Sequence, residues 1–125
     1  MRRAVEAWDA GDVDALLALC HRGVRFRSFI GALEGDKAHR GHEGVRSWWG
    51  EAEEAFEGRG LELDDIQARG EWVVFTGVGF GTGRASRAEV RWPFVGVARV
   101  AEGLLSEWRL FPDRDEADAF LGDAA

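Results

Sequence analysis

Residues 71–83, EWVVFTGVGFGTG, and residues 87–100, RAEVRWPFVGVARV, decide the fold of this chain. In both stretches β-branched and aromatic residues recur at every second position, which is typical of β-strands. The same period extends to LELDDIQA at 61–68 and to GLLSEWRLF at 103–111. We therefore predict a run of antiparallel strands, with the two long middle strands joined by a Gly-rich hairpin near Gly83.

Alternate residues of a strand point to opposite sides of a sheet, so these strands predict two faces of different chemistry. One face is expected to be apolar and aromatic, and it would collect Val74, Thr76, Val78, Phe80, Val90, Trp92, Phe94, Gly96, Ser106, Trp108 and Leu110. The other face is expected to be mixed, with charges that pair across strands, and it would collect Phe75, Gly77, Gly79, Gly81, Arg87, Glu89, Arg91, Pro93, Glu107, Arg109 and Phe111. Long strands with regularly placed glycines also indicate a strongly curved sheet.

The rest of the chain is predicted to be mainly helical. Apolar spacing predicts two short helices within residues 2–21, the second capped by Asp12. Residues 24–29, VRFRSF, alternate as one further strand. Residues 42–56, HEGVRSWWGEAEEAF, carry an apolar stripe at steps of three and four, and Asp113 is placed to cap a last short helix.

This order of elements indicates an α+β fold in a single domain over residues 1–125. A curved antiparallel sheet would wrap around the N-terminal and middle helices, with Trp8 and Trp49 covering its aromatic face. The concave side then holds either a packed core or a pocket, and both alternatives stay open at this point. The convex side fits an isologous dimer surface, and it fits a solvated face nearly as well.

Composition excludes several classes of protein. The net charge of −7 argues against nucleic acid as a partner, because phosphate binding needs a basic stripe. Cys20 is the single cysteine, so neither an intrachain disulfide nor a cysteine-based zinc site is expected. No apolar run long enough for a signal peptide follows Arg2 and Arg3, and nowhere do about 18 apolar residues run together, so we expect neither export nor membrane association, and a cytoplasmic location.

Several local strings resemble a known family. AWDAGDVDALLAL, VRFRS, HRGHEGVRSWW and GLLSEWRLFPDRDEADAF together resemble the SnoaL-like branch of the nuclear-transport-factor-two-like superfamily, which also contains ketosteroid isomerase. The resemblance covers essentially the whole chain. It implies a cone-shaped α+β barrel, a deep hydrophobic pocket between the helices and the concave sheet, and homodimers formed through the convex face.

The catalytic residues of these relatives are mostly missing. In ketosteroid isomerase a carboxylate base lies at a position similar to Ser28, a phenol lies near Ala4, and a protonated aspartate lies near Gly96, so the resemblance implies no steroid-type isomerisation. SnoaL-type cyclases use an aspartate near the end of the last strand, where Asp113 lies, although helix capping is its simpler role. Limonene-epoxide-hydrolase-like members use an Asp-Arg-Asp relay, and we expect neither an acid nor an arginine on the inward face of the sheet.

His39 is the best remaining candidate for acid–base chemistry, since it lies on a loop after Glu34 and Asp36. A solvated or backbone-bonded histidine is the alternative interpretation. His39, His42 and Glu43 lack an evident further ligand, so no metal site is expected.

We expect a ligand to contact the inward-facing aromatic and hydroxyl side chains. These are Trp8, Phe26, Ser28, Trp49, Thr76, Trp92, Phe94 and Trp108. Ser28 and Thr76 could orient a ligand through hydrogen bonds, or could instead bond the neighbouring backbone. An indole N–H, such as that of Trp49 or Trp108, could donate to a ligand carbonyl.

The sequence thus predicts a SnoaL-like protein that binds a small apolar molecule, aromatic, ketone-bearing or polyketide-like, in a hydrophobic cone pocket. Acid–base chemistry of the isomerase or cyclase type at His39 would make it an enzyme that uses no cofactor. The alternative is a non-catalytic homodimeric binding or interaction domain.

Overall fold

The predicted helices and strands are present in the residues that the structure, a computed structural model, describes: 2–28 and 38–124. The helices are α1 (Arg2–Ala10), α2 (Val13–Ala18), α3 (Gly41–Ala55) and α4 (Arg114–Ala124). The strands are β1 (Cys20–Arg27), β2 (His39–Arg40), β3 (Phe56–Arg69), β4 (Trp72–Gly83), β5 (Glu89–Ala101) and β6 (Leu104–Phe111). In this part of the chain no helix is long and apolar enough to cross a bilayer.

The strands form one curved, unclosed six-stranded sheet in the order β2-β1-β6-β5-β4-β3. Strands β3 to β6 follow one another as an antiparallel meander, which confirms the predicted run. Strand β1 pairs in parallel with β6, and β2 is an antiparallel edge strand beside it. The α+β fold class is therefore confirmed, with one parallel pair in an otherwise antiparallel sheet.

Two predicted helix caps are present. The Oδ1 atom of Asp12 accepts a hydrogen bond of 3.0 Å from the backbone N–H of Ala15 and so caps α2. The Oδ1 atom of Asp113 accepts one of 2.9 Å from Glu116 at the start of α4. A side-chain oxygen in this position satisfies an N–H group that the helix itself leaves unpaired.

The prediction of which β4 residues lie on the concave face of the sheet is wrong. Phe75 lies opposite Gly96 and Gly79 lies opposite Trp92, so the odd-numbered residues of β4 share the concave face with the aromatic residues of β5. An added Cβ at Gly79 would come within 2.4 Å of the indole of Trp92, which shows that this glycine leaves the space that the ring fills. The apolar residues Val74, Val78 and Phe80 predicted the opposite face, but on the concave face Gly77 and Gly79 leave the space that rings of β5 fill.

Thr76 consequently lies on the convex face, opposite Val95, and not inward as expected. Residues of that face form a second core with α4. Its buried members are Val74, Val97, Phe111, Ala117 and Leu121. Part of the convex face is thus covered by α4 of the same chain.

Candidate ligand-binding cavity

The main core lies between the concave face of the sheet and helices α1, α2 and α3, and aromatic rings dominate it. Trp8 of α1 stacks on Trp48 of α3 with ring centroids 4.8 Å apart and an interplanar angle of 19°. Phe26 of β1 contacts Trp48 at 4.4 Å and lies parallel to Trp108 of β6 at 6.0 Å. Rings at such distances attract one another beyond the effect of area burial. The cluster therefore ties the two helices to the centre of the sheet.

These rings line a partly open cavity of about 90 Å³. Its wall is almost entirely apolar, and the lining residues are Ala4, Val5, Trp8, Leu16, Cys20, Val24, Phe26, Ser28, Trp48, Ala52, Phe56, Arg59, Leu61, Trp92, Leu105, Trp108 and Leu110. Among them are no aspartate, glutamate or histidine side chains from the described part of the chain. The wall therefore offers hydrogen-bond donors and rings, and no carboxylate or imidazole that could shuttle a proton.

Five of the eight residues that we expected at a ligand line this cavity: Trp8, Phe26, Ser28, Trp92 and Trp108. Two others, Trp49 and Phe94, are buried in the same core but do not reach the cavity. Thr76 is separated from it by the sheet.

The candidate acid–base residues lie away from the cavity wall. His39 is half-buried in β2 opposite Phe26 and is not among the lining residues, while Asp113 is exposed at the start of α4. His42 bonds the carbonyl oxygen of Cys20 at 3.1 Å through Nε2, which joins α3 to β1. Glu34 and Asp36, expected beside His39, lie outside the described residues. Within residues 2–28 and 38–124, no group of three or more potential ligands could hold a metal ion.

Arg59 is a cavity residue that sequence reasoning missed, and it contradicts the expectation that the inward face lacks an arginine. Its guanidinium carbon lies 4.3 Å from the ring centroid of Trp8 and 4.9 Å from that of Trp49, and its side chain is only 11% exposed. Strand β3 begins at Phe56 rather than near residue 61. Extending the two-residue period back from Leu61 would have placed Arg59 on the same face.

The surroundings of Arg59 keep its charge poorly paired. Its nearest carboxylate oxygen, Oε1 of Glu53, is 3.8 Å away and already accepts a 2.7 Å hydrogen bond from Nε1 of Trp49. Burial lowers the pKa of Arg59, Glu53 raises it and Arg84 lowers it further. An arginine keeps its charge under such shifts, so Arg59 is a cation in an apolar wall.

Beyond Arg59 lies an open, polar cleft on the outside of the molecule. Trp8, Phe56 and Arg59 line both spaces and form the wall between them. The cleft also contains Asp9 and Arg84, which do not line the cavity. The guanidinium of Arg59 therefore lies where an apolar interior meets a charged surface.

Cys20 also lines the cavity, but its thiol is not a nucleophile at neutral pH. The residue is 5% exposed, and burial raises the pKa of its thiol from 9.0 to about 11. Only the thiolate reacts as a nucleophile, so a buried thiol of this kind is inert. The cysteine therefore serves as a small apolar wall residue.

Comparisons with known proteins agree with this architecture. Residues 1–108 match the family model described as SnoaL-like domain. An NTF2-like protein of unknown function from Burkholderia pseudomallei has a TM-score of 0.78 and 22% identity, with 94% of this chain and 91% of that chain covered. A candidate SnoaL-like polyketide cyclase from Jannaschia has a TM-score of 0.73 and 22% identity, covering 88% and 79%.

A third structure is a hypothetical protein from Catenulispora acidiphila with a ketosteroid isomerase-like fold, in complex with trimethylamine. It has a TM-score of 0.77 and 15% identity, with 87% of this chain and 81% of that chain covered. A search of curated protein sequences gave no match. At these identities the solved structures establish a shared fold, while the family model covers most of the chain. The predicted resemblance is confirmed, and the chain belongs to the SnoaL-like domain family.

Proposed function

We propose that the protein binds a small apolar molecule, with an aromatic ring or a short hydrocarbon body, in the cavity between α1, α3 and the concave face. The observation that carries the proposal is the cavity itself. Its walls are largely aromatic, and they leave about 90 Å³ of space that no side chain fills. Native interiors are packed as densely as organic crystals, so a cavity of this kind is costly unless a ligand fills it.

The size of the cavity sets the size of the ligand. Pockets for drug-sized ligands measure roughly 300–1,000 Å³, and an engineered apolar cavity of about 150 Å³ binds benzene. At about 90 Å³ the cavity is suited to one ring at most, and even one ring requires its wall to yield. Trp48 is only half-buried and stacks on Trp8, so its rotation is the simplest way to enlarge the space.

The chemistry of the wall favours binding over acid–base catalysis. Its heteroatom side chains in the described part of the chain are an inert thiol, one hydroxyl, indoles and a guanidinium. A general acid–base catalyst needs a pKa near the working pH, and these groups titrate far from neutrality. Relatives of this fold include a candidate polyketide cyclase and a protein in complex with trimethylamine, which supports a ligand site in this family without assigning the chemistry.

Filling the cavity tests the proposal. Ala52 of α3 lines the cavity, so Ala52→Leu places a larger side chain in the space. Ala55→Leu is the matched control, since the same substitution falls at an exposed position of the same helix outside the wall. The readouts are the melting temperature and the fluorescence of the cavity tryptophans, titrated with toluene and acetophenone.

We expect either probe to raise the melting temperature of the wild type and of Ala55→Leu, and to leave Ala52→Leu unchanged. Binding to the native state alone stabilises it in proportion to RT ln(1 + [L]/Kd). Equal shifts in all three proteins would place binding outside the cavity. The absence of any shift in the wild type would refute a single-ring ligand.

A further inference from the structure

The guanidinium of Arg59 is a largely buried cation that donates no hydrogen bond within the described part of the chain. A guanidinium has five N–H donors, and none of those of Arg59 donates to any residue in the described part of the chain. Its Nε atom is fully buried and unpaired, and the whole side chain is 11% exposed. Buried polar groups are almost always satisfied, and each exception requires an explanation.

The contacts that Arg59 makes with described residues do not use the N–H donors along the edge of its guanidinium plane. Trp8 and Trp49 contact the guanidinium at 4.3 and 4.9 Å through their ring faces, which is cation–π attraction and uses no N–H donor. Oε1 of Glu53 lies 3.8 Å from the guanidinium, beyond hydrogen-bond distance, and it accepts a hydrogen bond from Trp49 instead. The planar fork of donors therefore remains available to an acceptor that enters from outside the chain.

A second unpaired donor lies beside it. The Nε1 atom of Trp8 is buried and has no hydrogen-bond partner among residues 2–28 and 38–124, and its ring is in contact with Arg59. Both residues line the cavity. Two donors that the described residues leave unpaired, one of them charged, thus belong to adjacent residues of a mostly apolar wall, of which Phe26, Trp108 and Leu110 form other parts.

We propose that the ligand of this cavity is an apolar carboxylate whose anionic group pairs with Arg59 and accepts from the indole of Trp8, an inference that rests on the proposed function and names its ligand class. Carboxylate geometry matches the guanidinium fork in two parallel hydrogen bonds. A cationic ligand is disfavoured, because the like charge of Arg59, which lies over one face each of Trp8 and Trp49, would repel it.

The nearby acids lie on the cleft side of Arg59 and already accept hydrogen bonds within the chain. Oδ1 of Asp9 accepts from the backbone N–H of Leu61 at 3.0 Å. Glu57 accepts from Arg84 and from Arg87, each at 3.2 Å. None of Asp9, Glu53 and Glu57 lines the cavity, so a carboxylate inside it faces Arg59 without an acid from the described part of the chain in the same wall.

The test compares benzoate with toluene, which share a ring and differ by a carboxylate in place of a methyl group. Calorimetry measures both on the wild type and on Arg59→Gln, which keeps a polar side chain and removes the charge. Arg84→Gln is the control, because Arg84 lines the cleft only and donates to Glu57.

We expect the wild type to bind benzoate at least tenfold more tightly than toluene. Arg59→Gln should lose about tenfold or more of the benzoate affinity and keep its toluene affinity, while Arg84→Gln keeps both. Charge-assisted hydrogen bonds are strong enough for such a difference.

Toluene binding equal to or tighter than benzoate binding in the wild type would overturn the carboxylate inference and leave the proposed function intact. If Arg59→Gln lost the same fraction of its affinity for benzoate and for toluene, Arg59 would act only as part of the cavity wall. That result would also overturn the carboxylate inference. A wild type that binds neither probe would refute the proposed function together with the inference. Because the wild-type comparison needs no variant, it decides the question even if Arg59→Gln fails to fold.

Discussion

The substitution Gly96→Ala is expected to destabilise the protein, although alanine is better than glycine in most strands. A Cβ at Gly96 would lie 2.2 Å from Cζ and 2.3 Å from Cε2 of Phe75, far inside normal contact distance. Phe75 is 1% exposed, so its ring cannot move into solvent. Gly96 does not have a positive φ, and the clash alone therefore sets the sign.

The size of the effect follows from two opposing terms. Overpacking a well-filled core costs about 1–3 kcal/mol, and replacing glycine by alanine in a strand returns about 0.5–1 kcal/mol. The two ranges leave a net loss of about 0–2.5 kcal/mol in the free energy of unfolding, and because the fully buried ring of Phe75 cannot yield we expect about 1–2 kcal/mol. An unfolding entropy of about 2.1 cal/mol/K per residue converts this loss into a fall of roughly 4–8 °C in the melting temperature of a chain of this length.

The assay is calorimetric unfolding of Gly96→Ala beside two further proteins. Gly50→Ala is the control, because a Cβ at Gly50 meets no atom within 4 Å in the exposed interior of α3, and it should raise stability by about 0.5–1 kcal/mol. Adding Phe75→Leu to Gly96→Ala removes the clashing atoms, so the double variant should lose less than the sum of the single losses. A melting temperature of Gly96→Ala at or above that of the wild type would refute the packing of Phe75 on Gly96.

Two further outcomes are expected from contacts described above. Asp12→Ala removes the cap that satisfies Ala15 and should cost about 0.5–2 kcal/mol in urea unfolding. Asp14→Ala removes an exposed ion pair with Arg46 and an acid of the first turn, and it should cost less, under about 1 kcal/mol; equal losses would contradict the capping role. Burial raises the pKa of Cys20 from 9.0 to about 11, so the folded state resists ionisation, and stability that is complete below about pH 9 should decline as the pH rises toward 11. Urea midpoints of Cys20→Ala across this range should decline less than those of the wild type, and identical slopes would show that the thiol is not the cause.

Sequence reasoning succeeds where the deciding interaction is local. Asp12 and Asp113 each satisfy an N–H group three residues ahead, so the capping pattern was sufficient to locate the starts of α2 and α4. The run of strands could also be predicted, because the period of two is a property of each strand alone. Both features depend on residues close together in the chain.

The same reasoning failed where the deciding contact crosses the sheet. Alternation separates β4 into two sets of residues but does not say which set faces the helices. That choice depends on Trp92, whose ring fills the space above Gly79, and this contact joins two strands. Arg59 was missed for a related reason, since its position on the cavity wall depends on where β3 begins after α3.

The parallel pairing of β1 with β6 has a consequence for synthesis of the chain. Phe26 lies beside Trp108, so the first strand has no neighbour on that side until the last strand has left the ribosome. At about 5–20 residues per second, translation of the intervening residues takes roughly 4–16 s. During that interval the edge of β1 that pairs with β6 leaves its backbone N–H and C=O groups without that partner, and an unpaired strand edge is a known route to aggregation. Ribosome-bound chains arrested before Leu104 should therefore recruit chaperones more strongly than chains in which β6 has emerged.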